Sequence, residues 1–165
     1  MKSVIFDLDL TLVDASIADH ARKNRDWQLV YSLIPSFKLY DGLSVVFDYI
    51  RNHGIKVCIV ATAPRSYVER VIRCFAIPCN YIVAYHDAKP IKPHPAPMCK
   101  ALELLEEHSF NVISFGDRTI DIISSRCANI KSAACLWGTK ESRELRECSP
   151  DIILNSPSDI LEYLG

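Results

Sequence analysis

Six short apolar runs recur along this chain, and most are followed by a stretch with helical periodicity. They are 3–7 (SVIFD), 56–61 (KVCIVA), 81–84 (YIVA), 112–115 (VISF), 132–136 (SAACL) and a short 151–154 (DIIL). They read as near-continuous apolar segments rather than alternating ones, as strands do when both faces are buried. Between them, Leu43, Val46, Phe47 and Ile50 follow the i, i+3, i+4, i+7 rule in 42–53. Val68, Val71, Ile72 and Phe75 do so in 65–76, and Met98, Ala101, Leu102 and Leu105 in 97–108. Such spacing predicts amphipathic helices, and further helices are predicted at 119–128, 140–147 and 157–164. Strands of this kind alternating with helices predict a three-layer α/β/α, Rossmann-like fold around a mostly parallel sheet. At 165 residues, 49% of them hydrophobic, the chain suits a single domain, 1–165, with one sizeable core.

One segment breaks the rhythm. Residues 14–40 separate the first strand from the helix near Asp41-Gly42, and a helix is predicted from Ser16 to Ile34, ended by Pro35-Ser36. This stretch reads either as a small helical, cap-like insertion after strand 1 or as an ordinary crossover helix. The formal net charge of -1 gives no general attraction to nucleic acid or membranes. No apolar stretch reaches the ~18 residues of a membrane span. The first apolar run is short and broken by Asp7, unlike a signal peptide. The seven cysteines are odd in number, scattered and without a CxxC pair. They are expected to be reduced thiols in a cytoplasmic protein rather than a disulfide framework or zinc site.

Ligands in open parallel sheets bind beyond the carboxyl ends of the strands. At the first such end the chain reads VIFDLDLTLVD, residues 4–14, with Asp7 and Asp9 two residues apart. In an extended chain both would face one side. Three other strand ends or loops carry polar residues suited to the same chemistry, namely Ala61-Thr62-Ala63, Lys92-Pro93-His94, and Gly116-Asp117-Arg118-Thr119-Ile120-Asp121. Hydrolysis of a phosphate ester needs a nucleophile, an acid for the leaving group and positive charge around the transferring phosphoryl group. Asp7 is the natural nucleophile. Two close carboxylates repel unless a cation neutralises them, and Mg²⁺ suits an all-oxygen site.

The ordered set DxDxT, a strand-ending Thr, a Lys before a helix and an acidic GDxxxD loop resembles the haloacid dehalogenase-like hydrolase superfamily. The likeness extends through 41–77, 134–139 and 151–161, nearly the whole chain. It implies that Asp9 is the general acid and base, that Thr62 hydrogen-bonds a phosphate oxygen, and that Lys92 neutralises the phosphate and the nucleophile. It also implies Mg²⁺ held by Asp7, Asp117 and the backbone carbonyl of Asp9, with Asp121 either a further ligand or a partner orienting water at the metal. Thr11 is assigned to fixing the first loop. The activity so implied is Mg²⁺-dependent hydrolysis of phosphomonoesters through an aspartyl phosphate.

Departures from the family pattern also matter. Leu10 follows Asp9 where many members carry Gly, which is compatible if the loop needs no positive φ there. After Thr62 comes Ala63-Pro64-Arg65 rather than Asn. Arg65 and Arg118 are assigned to salt bridges or surface rather than substrate, His86 and His94 to loops, and Trp137 to packing. No segment is long enough for a full cap domain, so the site is expected to be comparatively open. That suits a bulky or macromolecular phosphoester, or a wall completed by a partner subunit. The rival functions are a phosphomutase, which would want a cap that excludes water, and a non-catalytic phosphate-binding or regulatory module of the same fold.

Overall fold

The computed structural model describes residues 1–165. In chain order the elements are β1 (Ser3–Phe6), β2 (Val13–Asp14), α1 (Asp19–Lys23), α2 (Trp27–Leu33), β3 (Lys38–Leu39), α3 (Leu43–Asn52), β4 (Lys56–Val60) and α4 (Arg65–Phe75). There follow β5 (Tyr81–Val83), α5 (Ala96–Leu105), β6 (Val112–Gly116), α6 (Thr119–Cys127), β7 (Lys131–Cys135), α7 (Ser142–Glu147) and β8 (Ile152–Leu154). Short 3₁₀ turns flank several of them.

All six apolar runs become strands of one sheet, ordered β5-β4-β1-β6-β7-β8, in which every pairing is parallel. β1 is central, with Phe6 in register with Ile59 on one side and Phe115 on the other. The chain winds outward to β4 and β5 on one side, then returns to β6 on the other. The crevice where such winding reverses lies at the carboxyl end of β1.

Alternation along the strands serves two cores. Val4, Phe6, Val57 and Ile59 enter the larger cluster, with Leu43, Val46, Phe47 and Ile50 of α3 and Tyr67, Val68 and Val71 of α4. Ile5, Cys58 and Val60 point to the opposite face, where Met98, Ala101 and Leu105 of α5 cover them. Both sets are apolar because both faces are covered, which is why the runs look continuous in the sequence. No helix is long and apolar enough to cross a membrane. All seven cysteines are free.

The predicted single helix over 16–34 is replaced by a bent sequence of short turns. A 3₁₀ turn at Ser16–Ala18 leads into α1, and the chain then reverses at Arg25, whose φ is 55°. Asp26 starts α2 afresh, its carboxylate accepting from Leu29 N at 3.2 Å. The polar run Asn24-Arg25-Asp26 favours a turn and a new N-cap over continuation. The stems of this segment pair as a two-stranded antiparallel ribbon, Val13 with Leu39 and Asp14 with Lys38. The last predicted helix, 157–164, is a 3₁₀ helix over Pro157–Tyr163.

Candidate active site

Extended structure ends at Phe6, so Asp7 and Asp9 do not share a strand as expected. Asp7 N still donates to Phe115 O at 2.9 Å, the last link of the ladder. The Leu8 carbonyl then accepts from Leu12 N at 2.9 Å, while Leu10 N donates to Val13 O at 2.8 Å. This tight reversal puts Leu10 at φ 63°. The loop therefore demands the positive φ that Gly takes freely, and Leu10 takes it at a cost of roughly 1–2 kcal/mol. Buried Thr11 fixes the loop from below, donating from Oγ1 to Asp117 Oδ1 at 2.9 Å. Trp137 fixes it from the side, its indole N–H donating to Thr11 O at 2.9 Å.

Three of the expected acidic residues converge. Carboxylate oxygens of Asp7, Asp117 and Asp121 lie within 4.8 Å of one another. Lys92, only 3% exposed, is set among them. Its ammonium donates to Asp7 Oδ1 at 2.9 Å, Asp121 Oδ1 at 2.6 Å and the Val60 carbonyl at 2.9 Å. Burial penalises the ammonium, but Asp121 and Asp7 outweigh it and hold its pKa above the usual lysine range. Both oxygens of Asp121 are engaged, the second by Arg118 N at 3.0 Å. This approach leaves no room for a side chain at Gly116, where a Cβ would sit 2.6 Å from Asp121 Cγ.

Asp117 is the odd member. It is 1% exposed, and its Oδ2 is buried with no hydrogen-bond partner. Burial, then the charges of Asp7 and Asp121, push its pKa up to about 9. A buried acceptor without a donor, beside two further carboxylates, is the environment a hard divalent cation relieves. The donor set is all oxygen, which fits Mg²⁺ or a similar ion and not a thiolate-seeking metal.

Asp9 stands apart from that trio. Tyr67 Oη donates to its Oδ1 at 2.5 Å and Arg22 Nη1 to its Oδ2 at 2.7 Å. Asp7, Asp9, Thr62 and Asp117 line one cavity of about 400 Å³, with Leu10, Asp19, Arg22, Lys23, Arg118, Lys140 and Glu141 around it. Lys140 of the β7–α7 loop pairs with Asp19 of α1, joining the two sides of the rim.

Arg65 faces elsewhere, bound to Asp87 at 2.6 Å and to the Ile82 carbonyl at 3.0 Å. Arg118 borders the cavity, 3.8 Å from Glu141. His94 Nδ1 accepts from Ala96 N at the start of α5, and exposed His86 packs edge-on against Tyr85. Arg22 and Tyr67 were missed from sequence. Tyr67 reads as one more apolar position of α4, and Arg22 as one charge among several in a mixed segment. Only the three-dimensional approach of α1 and α4 reveals them.

The site is thus a carboxylate cluster at the switch point of a parallel sheet, with one buried lysine joining two of its members and a polar cavity beside it, in an α/β protein. Comparison with known proteins gives the class a name. The model of the haloacid dehalogenase-like hydrolase family matches residues 19–135, and the chain belongs to that family. Among curated relatives, the pyrophosphatase PpaX of Oceanobacillus iheyensis is 31% identical over 129 residues, covering 77% of this chain and 58% of that protein. PpaX of Bacillus cereus strain B4264 is 33% identical over 133 residues, covering 78% and 62%. This chain thus spans about three fifths of the length of those relatives. Among solved structures, a predicted phosphoglycolate phosphatase from Haemophilus somnus 129pt superimposes with a TM-score of 0.86 at 17% identity, covering 100% of this chain and 98% of that one. CbbY from Rhodobacter sphaeroides, in complex with phosphate, gives 0.82 at 15%, with 97% and 96% covered. At such identities the likeness is one of fold.

Proposed function

We propose that this chain is a Mg²⁺-dependent phosphatase that hydrolyses phosphomonoesters through an aspartyl phosphate on Asp7. The observation that carries the reading is the buried Lys92 joining Asp7 to Asp121 beside the unpartnered Asp117 Oδ2. Residues 1–165 are taken as one catalytic domain, with 14–40 as its small helical cap-like insertion.

Asp7, Asp117 and the Asp9 carbonyl would hold the Mg²⁺, with Asp121 engaged to Lys92 beside them. When bound, the ion would neutralise the carboxylates and the phosphoryl oxygens. In the first step a carboxylate oxygen of Asp7 attacks phosphorus. The bond to the leaving oxygen breaks, and Asp9, which enters this step protonated, passes that proton to the oxygen. In the second step water attacks phosphorus and yields a proton to Asp9. The bond between Asp7 and phosphorus breaks, phosphate departs, and both carboxyl groups return to their starting states. Thr62, on the cavity wall, donates to a phosphoryl oxygen. Lys92 holds Asp7 in place and supplies fixed positive charge where negative charge gathers.

The name of the curated relatives puts inorganic pyrophosphate first among substrates to try. The cavity also opens to a charged rim (Lys23, Arg118, Lys140), which leaves room for a bulkier or macromolecular phosphoester. A cytoplasmic setting accords with the free thiols. The test is hydrolysis of p-nitrophenyl phosphate with and without Mg²⁺, by wild type and by Asp7→Asn, followed by pyrophosphate, sugar phosphates and a phosphopeptide. Turnover only by the wild type, and only with Mg²⁺, is expected. Equal rates for the two proteins would remove Asp7 as nucleophile, and metal-independent turnover would remove the ion. Phosphate binding without turnover would instead favour a binding module.

A further inference from the structure

The Asp9 carboxylate is held from two separate parts of the chain. Asp9 lies in the loop after β1, where nothing local restrains its side chain. Arg22 arrives from α1, within the 14–40 segment, and Tyr67 from the first turn of α4. Each takes one carboxylate oxygen, at 2.7 Å and 2.5 Å. The two donors also brace each other, the Arg22 guanidinium sitting 5.0 Å from the centroid of the Tyr67 ring.

Tyr67 is itself immobilised. It is fully buried, with Trp27 at 6.1 Å and Phe37 at 6.4 Å between ring centroids, both from the 14–40 segment. The same segment is pinned to α4 a second time. Tyr31 Oη and Ser66 Oγ are 2.6 Å apart, and the Arg70 guanidinium stacks 4.1 Å from the Tyr31 centroid. Residues 14–40 are thus docked as a fixed wall, with Arg22 as the side chain that reaches the reacting end.

We propose that Arg22 and Tyr67 are positioning residues that fix the Asp9 carboxyl group for proton transfer, which makes the 14–40 segment part of the catalytic apparatus. The inference rests on the reading of Asp9 as the proton-transfer group. A carboxylate oxygen carries two lone-pair sites, so one donor per oxygen sets the orientation of the group and leaves its other positions free toward the cavity. Placement within hydrogen-bond reach of the leaving oxygen is what a general acid requires. A nitrophenolate leaves with little help from a proton, whereas an alkoxide needs one. The cost of misplacing Asp9 in the first step therefore depends on the leaving group, whereas its cost in the second, where water is always the nucleophile, does not.

The experiment compares kcat/KM, which reads only the first step, for p-nitrophenyl phosphate and ethyl phosphate, with Mg²⁺ present, in wild type, Tyr67→Phe, Arg22→Gln, Arg22→Lys and Asp9→Asn. Tyr67→Phe keeps the packed ring and removes only the hydroxyl. For ethyl phosphate, Tyr67→Phe and Arg22→Gln are each expected to lower kcat/KM about 10-fold, a part of the 10²–10⁴-fold that a positioned acid contributes. For p-nitrophenyl phosphate the loss in kcat/KM should stay within about 3-fold. Arg22→Lys should recover part of the ethyl phosphate rate. Equal losses on the two substrates, or none, would overturn the positioning role. If Asp9→Asn itself fails to separate the substrates, the proton-transfer reading of Asp9 falls, and the positioning role with it. If Asp9→Asn separates them and the Arg22 and Tyr67 variants do not, only the positioning role falls.

Discussion

Replacing Asp117 by Asn should make the metal-free protein more stable while removing its response to Mg²⁺. The effect originates in one proton. Burial and the charges of Asp7 and Asp121 push the Asp117 pKa up to about 9, from an ordinary value of 3.8. Between those limits the folded metal-free protein retains a proton that the unfolded chain has released. Raising the pH therefore favours unfolding, by up to about 1.4 kcal/mol per unit. The stabilising contribution is complete below pH 4, falls through neutrality and is spent by about pH 9. From pH 5 to pH 7 this amounts to as much as roughly 3 kcal/mol, a sizeable part of a domain's total stability. The substituted asparagine carries no titratable proton, still accepts from Thr11, and can donate toward Asp7. The unfolding free energy of the variant should lack this component of the slope. Urea unfolding at a series of pH values, with a chelator and then with excess Mg²⁺, measures both effects. In wild type, Mg²⁺ should stabilise increasingly as pH rises, because binding requires the deprotonated carboxylate. In Asp117→Asn that gain should largely vanish. Parallel pH profiles for the two metal-free proteins would refute the linkage between Asp117 and stability, and equal Mg²⁺ stabilisation would refute the assignment of the cation to this cluster.

Other perturbations follow from the same geometry. Lys92→Met keeps the length of the side chain but leaves Asp7 and Asp121 facing each other without a counter-charge. Urea unfolding without metal at pH 8 should show a loss of about 3–5 kcal/mol, and a loss under about 1 kcal/mol would mean that the lysine is not what holds the cluster. Leu10→Gly relieves the left-handed backbone at φ 63°. Set against the entropy cost of Gly, the net gain should be up to about 1 kcal/mol. That is a rise in Tm of a few degrees, with no gain for Leu10→Ala. A fall in Tm for Leu10→Gly would show that leucine packing outweighs the strain.

Much of the architecture was legible because two-sided burial writes itself into composition. Val4-Ile5-Phe6 and Val57-Cys58-Ile59-Val60 alternate between two cores, so no position in them needs to be polar, and the strands show as apolar runs. The helices over 43–52, 65–75 and 96–105 bury one stripe each, which the heptad-like spacing exposes. The acidic and basic residues at strand ends could be picked out because a polar group next to a buried run is locally anomalous. The ribbon of β2 and β3 could not, since two residues per strand carry no periodicity. The break at Arg25 was hidden because Asn24 and Asp26 are as compatible with an exposed helix face as with a turn. Arg22 and Tyr67 act on Asp9 across 13 and 58 residues of chain, and neither separation leaves a mark in local pattern.

The departures from ordinary folding rules are not spread over the molecule. A buried acceptor without a partner at Asp117, three carboxylates within 4.8 Å and a left-handed Leu10 all lie where β1 and β6 end. Each is unfavourable for the fold taken alone. They are tolerated because the central strands beneath them are paired on both sides and covered on both faces, and because Thr11 and Trp137 bind the loop into place. Strain and unpaired charge persist only where surrounding structure over-determines them. Their coincidence at the switch point supports the proposed site without reference to any motif. The same criterion separates Arg65 from Arg22. Arg65 is satisfied by Asp87 and a carbonyl away from the cavity, whereas Arg22 spends its charge on a carboxylate that borders it.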